Sequence, residues 1–346
     1  MATLSTKYPT LLDVSKRTDP DGKIAMIAEI LSEYNDILDD IPMVEGNLPT
    51  GNVTSVRTSN PTPTFRLLNQ GVVPAKSSTG QITDTCAIIE TQSQIDVDLA
   101  MLNGNTAAFR LSEDASHIQA LGNSFSETLI SGDVSLTPEK FNGLTSRYFS
   151  LGATFTTSAN VISAGGLGTD NTSVYLIGWS PNLCYGMYPK GSQAGLQVND
   201  MGIQNIMENT TTGAYMRAYV TQYQWKVGLV IKDWRYVVRI CNIDISNLET
   251  ASDGTDTSAN LLKFMSMALD KLPPNGSIRP AFYMNERVRA MLRVKLLDKS
   301  NAYLSLGDLY GESVPRRAST LQFMGVPCRR VDSIGVAESV ITTATT

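Results

Sequence analysis

Residues 44–84 read VEGNLPTGNVTSVRTSNPTPTFRLLNQGVVPAKSSTGQITD, and this stretch does not have the makings of a domain. Its apolar residues are Val44, Leu48, Val53, Val56, Phe65, Leu67, Leu68, Val72, Val73, Ala75 and Ile82, about a quarter of the stretch against 42% for the whole chain. Only Glu45, Arg57, Arg66, Lys76 and Asp84 are charged. Disorder combines low hydrophobicity with high net charge, and only the first condition holds here. Strand-like runs at 53–59 and 64–68 flank Asn60-Pro61-Thr62-Pro63, whose prolines suit an edge or an isolated ribbon. Gln70-Gly71 and Thr79-Gly80 mark turns, and 81–98 returns as a long strand. The expectation is a two-stranded projection. A lone ribbon is marginal in water, so this one needs a partner surface, such as another copy of the chain. Phe65, Leu67 and Leu68 are the candidate anchors on that partner, with Arg57, Arg66 and Lys76 as charged contacts.

The flanks are helical. Asp19-Pro20-Asp21 is a start signal, and Ile24, Ile27, Leu31, Tyr34, Leu38 and Ile41 recur on one helical face until Pro42. The opposite face is acidic, and Ile24 and Tyr34 join the candidate inter-subunit contacts. Behind the ribbon, Phe109, Leu111, Ala115, Ile118, Leu121, Phe125 and Leu129 stripe a long helix that Gly132 stops. Glu113 and Asp114 fall in its expected first turn. At 1.5 Å per residue it is about 30 Å long, a spine.

PEKFNGL at 138–144 reads as a turn with a buried aromatic. A Gly/Ser/Thr-rich stretch, 154–173, is expected to separate off a second, strand-dominated unit. Its strands are expected at 174–179, at 215–225 with Tyr215, Tyr219, Tyr223 and Trp225 on one side, and at 234–243. A helix over 259–272, a strand at 278–284, a basic helix over 286–298 and a turned strand at 321–331 follow. No internal repeat is evident, and the fold class is α+β.

The net charge of −5 argues against a free nucleic-acid binder, which needs a broad basic face. Residues 1–50 are acidic on balance and 276–330 basic. An acidic head and a basic tail suit head-to-tail contacts between copies, or are two solvated faces. The first ten residues lack the apolar core of a signal peptide, and no apolar run is long enough to span a bilayer. Cys86, Cys184, Cys241 and Cys328 are too scattered for a metal or disulfide framework and read as buried small hydrophobes.

The chain has one histidine, His117, inside the spine, so no Ser-His-Asp triad or HExxH site can be built. Gly165-Gly166-Leu167-Gly168 fails both nucleotide-loop spacings and reads as a flexible linker. Asp253-Gly254-Thr255-Asp256 lacks the EF-hand pattern. No catalytic residue, cofactor or metal is expected. A carboxylate-only glycan-active enzyme stays open as an alternative.

The order of parts resembles the major capsid proteins of tailed phages with the Hong Kong 97-type fold. LDVSKR (12–17), DPDGKI (19–24), VEGNLPTG (44–51), LNGNTAAFR (102–110), PEKFNGL (138–144) and KDWRYVVR (232–239) are similar to strings of the short-tailed, epsilon-15-related family. The resemblance implies an N-terminal arm (1–50) and an extended loop (51–98). It further implies a peripheral domain with the spine (99–153), an axial domain (154–310) and a C-terminal segment (311–346). It implies self-assembly into hexamers and pentamers of an icosahedral head enclosing double-stranded DNA. Its partners would be a separate scaffolding protein, a portal protein and a decoration or cement protein, with no membrane. Such a shell would be assembled in the host bacterial cytoplasm. Lys76 has no identifiable cross-linking partner, so no covalent cross-link is expected. A cellular nanocompartment shell of the same fold is the alternative.

Overall fold

Long strands with both faces apolar need cover on both sides, and the second sheet has helices on one face and a helix with the first sheet on the other. The computed structural model describes residues 8–10, 13–14, 33, 35–102, 106–152, 155–209, 213–250, 260–274, 278–295, 304–308 and 319–343. Ile24, Tyr34 and residues 19–32 of the helix expected to run to Pro42 lie outside the described residues; of its described remainder only Ile37–Asp40 is helical. Residues 296–298 of the basic helix also lie outside the described residues.

In chain order the elements are α1 (Ile37–Asp40), β1 (Met43–Glu45), β2 (Gly51–Ser59), β3 (Ser78–Asp96), α2 (Val97–Met101), α3 (Thr106–Ser131) and α4 (Leu144–Arg147). Then come β4 (Val161–Ser163), β5 (Asn171–Trp179), β6 (Cys184–Tyr188), β7 (Gln197–Asn209), β8 (Ala214–Ile231), β9 (Val237–Asp244) and α5 (Ile245–Thr250). The last are α6 (Leu261–Lys271), β10 (Arg279–Met284), α7 (Glu286–Lys295), β11 (Leu304–Asp308), β12 (Ser319–Phe323) and β13 (Val326–Arg330).

One sheet runs β1-β6-β8-β3-β2, with β7 also on β8. The other runs β11-β12-β13-β10-β5-β9-β4. In the second sheet the strand period divides the side chains between two cores. Val174, Leu176, Val238, Ile240, Phe282 and Met284 meet Met265, Val288 and Leu292 of α6 and α7. Tyr175, Ile177, Trp179, Val237, Ala281 and Tyr283 face the other way, toward Phe125 and Leu129 of α3. That second core also takes in Ala87, Val227 and Leu229 of the first sheet, so the spine joins the two sheets.

The spine helix forms as the periodicity predicts and ends where Gly132 N bonds Thr128 O at 2.9 Å. Its inward face differs from the expected stripe over the first half. Leu111, Ala115 and Ile118 are exposed. The side toward the sheet there is polar: Arg110 bonds Asp200 at 2.8 Å and lies 4.8 Å over the Tyr219 ring. His117 bonds Thr91 at 2.9 Å and stacks on Tyr223. Apolar packing resumes where Phe125 meets Trp225 with centroids 4.7 Å apart. Polar and aromatic partners on β3 and β8 thus choose the face, overriding hydrophobicity. Because the helix starts at Thr106, Glu113 and Asp114 sit beyond its first turn.

The stretch 154–173 is not a separating linker. It contributes a 3-10 turn (Thr156–Asn160), the buried strand β4 parallel to β9, and the start of β5. Gly166 is buried there, its N–H donating to Asn242 O at 2.8 Å, so the glycine run is built into the sheet's edge.

Candidate assembly interface

The ribbon has a rigid root. Gly51 pairs with Thr85, and a Cβ on Gly51 would lie 2.1 Å from the Asp84 carbonyl oxygen, so only glycine allows that approach. Asp84 is buried and accepts a bond from Arg147 of α4 at 2.7 Å. The same guanidinium donates to Leu229 O of β8 at 3.1 Å. Asn47 closes the root from outside, donating to Val53 O at 2.7 Å and accepting from Val53 N at 2.8 Å. Past Cys86, β3 leaves β2 and pairs with β8, from Cys86 opposite Gly228 to Asp96 opposite Ala218. The projecting part is therefore 51–85, and the rest of β3 belongs to the body.

The shaft is two strands wide, from Gly51↔Thr85 to Ser59↔Ser78, with a register irregularity between Arg57 and Ser59. Ser59 and Thr58 hydroxyls meet the Ser78 hydroxyl at 2.7 and 2.8 Å, the last cross-strand bonds before the tip.

Residues 60–76 form the tip, and every one is exposed. The expected strand at 64–68 is absent, since no segment pairs with it among the described residues and Pro61 and Pro63 donate no N–H. Instead, a turn bonds Gln70 N to Leu67 O at 3.2 Å, with Asn69 at φ 67°, a conformation asparagine tolerates. Arg66 reaches Gln70 O at 3.4 Å. Phe65 and Leu68 are 108% and 90% exposed, so their apolar area is entirely uncovered. Three apolar side chains and one cation thus gather within four residues. Arg57 stands near the outer end of β2 and Lys76 just before β3, both exposed.

The sequence reading did not expect other apolar groups to be exposed. Val198, Met201, Ile203, Met207 and Tyr215 stand on the β7–β8 hairpin, and Leu111 and Ile118 on the spine. Strand β7 hides in the sequence because irregularities at Asp200/Gly202 and Met207/Asn209 break its alternation, with Gly202 at φ 67°.

The acidic head and basic tail meet within one chain. Asp36 N and Oδ2 both bond the Arg330 backbone at 3.0 Å. Asp40 accepts from Arg329 at 3.0 Å and from the Tyr283 hydroxyl at 2.8 Å. The cysteines are free, and burial pushes the Cys184 and Cys328 thiols up to about 12, which leaves them unreactive.

The family model "Major capsid protein GP7" matches residues 19–342. A chain in the structure of bacteriophage epsilon15 is 30% identical and covers 99% of this chain and of its own length, with a TM-score of 0.79. Likenesses to a capsid chain of a native GTA particle (10% identity, 65% and 95% coverage, TM-score 0.43) and to the SrpI encapsulin of Synechococcus elongatus PCC 7942 (9% identity, 64% and 91% coverage, TM-score 0.42) are too weak to carry weight. No curated protein matches. The fold is the Hong Kong 97-type capsid fold, and the match favours the phage head over the nanocompartment. The chain belongs to the GP7 family of phage major capsid proteins.

Proposed function

We propose that the ribbon tip seats on a neighbouring copy of the chain as the head assembles, burying Phe65, Leu67 and Leu68. Arg57, Arg66 and Lys76 contact the same neighbour, and Ile24 and Tyr34 of the N-terminal arm add to the overlap. The observation that carries this reading is the contrast between a fixed root and a tip whose large apolar side chains stand exposed. Each anchor contributes roughly 1.5–3 kcal/mol once covered. A single copy cannot gain that energy, so ordering of the tip is coupled to assembly.

On this reading the copies form hexamers and pentamers of an icosahedral shell around double-stranded DNA. The arm, extended loop, peripheral, axial and C-terminal divisions are those implied by the family. A separate scaffolding protein, a portal protein and a decoration or cement protein act with it. Assembly takes place in the bacterial cytoplasm, and the chain has no catalytic task. Replacing Phe65, Leu67 and Leu68 together with Ser tests the tip. The expected result is a soluble, folded subunit that forms no closed shells by negative-stain microscopy; normal shells would refute it.

A further inference from the structure

We infer that a second copy receives the ribbon tip in a cavity of about 650 Å³ between its C-terminal segment, the end of α3 and the chain around α4. Phe65, Leu67 and Leu68 enter the cavity and Arg66 meets Glu338. This rests on the reading of the tip given above and adds the surface that takes it.

The cavity is preformed. Its C-terminal wall is tied to the body by Glu338 N to Asn171 O at 2.8 Å and by Leu151 N to Thr342 O at 3.2 Å. Asn242 exchanges two bonds with Ile341, at 2.8 and 2.9 Å. Ile130, Phe149, Val340 and Ile341 supply apolar lining, and Glu338 stands among them. Phe149 and Phe155 are exposed beside it with ring centroids 5.0 Å apart, so the cavity opens on an apolar rim. A concave, mostly apolar site with a few polar groups is the usual form of a binding pocket.

The tip has the matching shape and charge. A concavity takes a protruding turn, and the turn at Leu67–Gln70 carries the three uncovered apolar side chains. The exposed apolar groups of β7 stand instead on a strand paired along β8, a flat face that cannot enter a cavity. Glu338 is engaged through Oε2 by Arg239 and Ser173, which leaves Oε1 for a cation. Arg66 makes one bond among the described residues, to Gln70 O.

The occupant belongs to another copy. Thr145 of α4 lines the cavity, and Arg147 of the same helix holds the ribbon root, so root and cavity are neighbours. The nine residues of β2 carry the tip about 30 Å away, and every tip residue is exposed. Tip and cavity are thus separate surfaces of one chain. A tip-to-cavity contact is heterologous: each copy gives a tip and takes one, and the contact repeats until a ring closes.

Two measurements on the full chain test this. Thr64 and Ser339 are exposed, one beside the anchors and one on the cavity wall. Shells of Thr64→Cys/Ser339→Cys treated with a short bismaleimide should give covalent multimers of three or more copies on a denaturing gel, and the single-cysteine variants none. Ser339→Trp fills the cavity and should melt with the wild type yet form no closed shells by negative-stain microscopy; if it melts lower, the cross-link decides alone. Closed Ser339→Trp shells, or closed double-variant shells without trimers, overturn the cavity assignment. Closed shells from the triple Ser variant of the tip overturn the tip reading itself, so the two failures are told apart.

Discussion

Arg147 and Asp84 form an ion pair at 2.7 Å where the ribbon leaves the body, with side chains only 17% and 3% exposed. Because Arg147 also donates to Leu229 O, this one guanidinium binds the ribbon root to the sheet behind it. A buried pair opposes its own desolvation, so its worth lies in what happens when one partner is removed. Asp84→Leu leaves a buried cation and should destabilise the subunit by roughly 3–5 kcal/mol in urea unfolding. The double variant Asp84→Leu/Arg147→Met should recover much of that loss, a coupling read directly from the mutant cycle.

Glycine tolerance should separate root from tip. Gly51→Ala forces a Cβ to within 2.1 Å of Asp84 O, and such overpacking costs about 1–3 kcal/mol or more. Gly71 at the tip has nothing within 4 Å of its Cβ position, so Gly71→Ala should be neutral or stabilise by about 0.4–1 kcal/mol through the unfolded chain. Thermal unfolding of the two variants side by side checks the contrast.

These two glycines also mark what the sequence makes legible. The poverty of apolar residues in 44–84 is enough to expect a projection, because burial needs area that the stretch does not have. That 64–68 forms no strand is not legible, because strands depend on a partner and none stands beside the tip among the described residues. Likewise, the residues of the spine announce a helix by their period, but the face it turns inward was set by Thr91, Tyr219 and Tyr223, which lie far off in sequence. Leu111, Ala115 and Ile118 were left outside as a result. Of the candidate contacts, the cluster at Phe65–Leu68 was readable as apolar residues in a polar arm. The β7–β8 hairpin was not, since its bulges shift the alternation that would have revealed it. The charge asymmetry was visible, but that Asp36 and Asp40 would meet Arg330 and Arg329 of their own chain required the fold.

Asp40 gives a pH prediction. Burial raises its carboxyl above the ordinary value, outweighing the Tyr283 hydrogen bond and the Arg329 charge. With the folded value raised, its contribution is present below the unfolded value near 3.8 and is lost as pH rises through the folded value. Asp40→Asn removes that titration. The stability of the wild type relative to Asp40→Asn should therefore fall between pH 3.5 and pH 7, as measured by urea unfolding at a series of pH values. A relative stability that rises over this range would contradict the assignment.

Arg239 is 2% exposed and donates to Glu338 at 2.9 Å, to Tyr148 O at 2.9 Å and to Ser173 Oγ at 3.1 Å. Glu338 lies on the C-terminal segment, so that segment neutralises a cation of the sheet core. Glu338→Ala should destabilise by roughly 3–5 kcal/mol, because the charge stays buried without its partner. Chemical denaturation of the unassembled subunit provides the measurement.

The central claim is that the tip exists to be covered by a neighbour. A cryo-electron microscopy map of the assembled head tests it most directly. The account predicts Phe65, Leu67 and Leu68 within about 4.5 Å of apolar atoms of an adjacent subunit. A tip that stands in solvent in the closed shell, with these three side chains as bare as in the single chain, would contradict it.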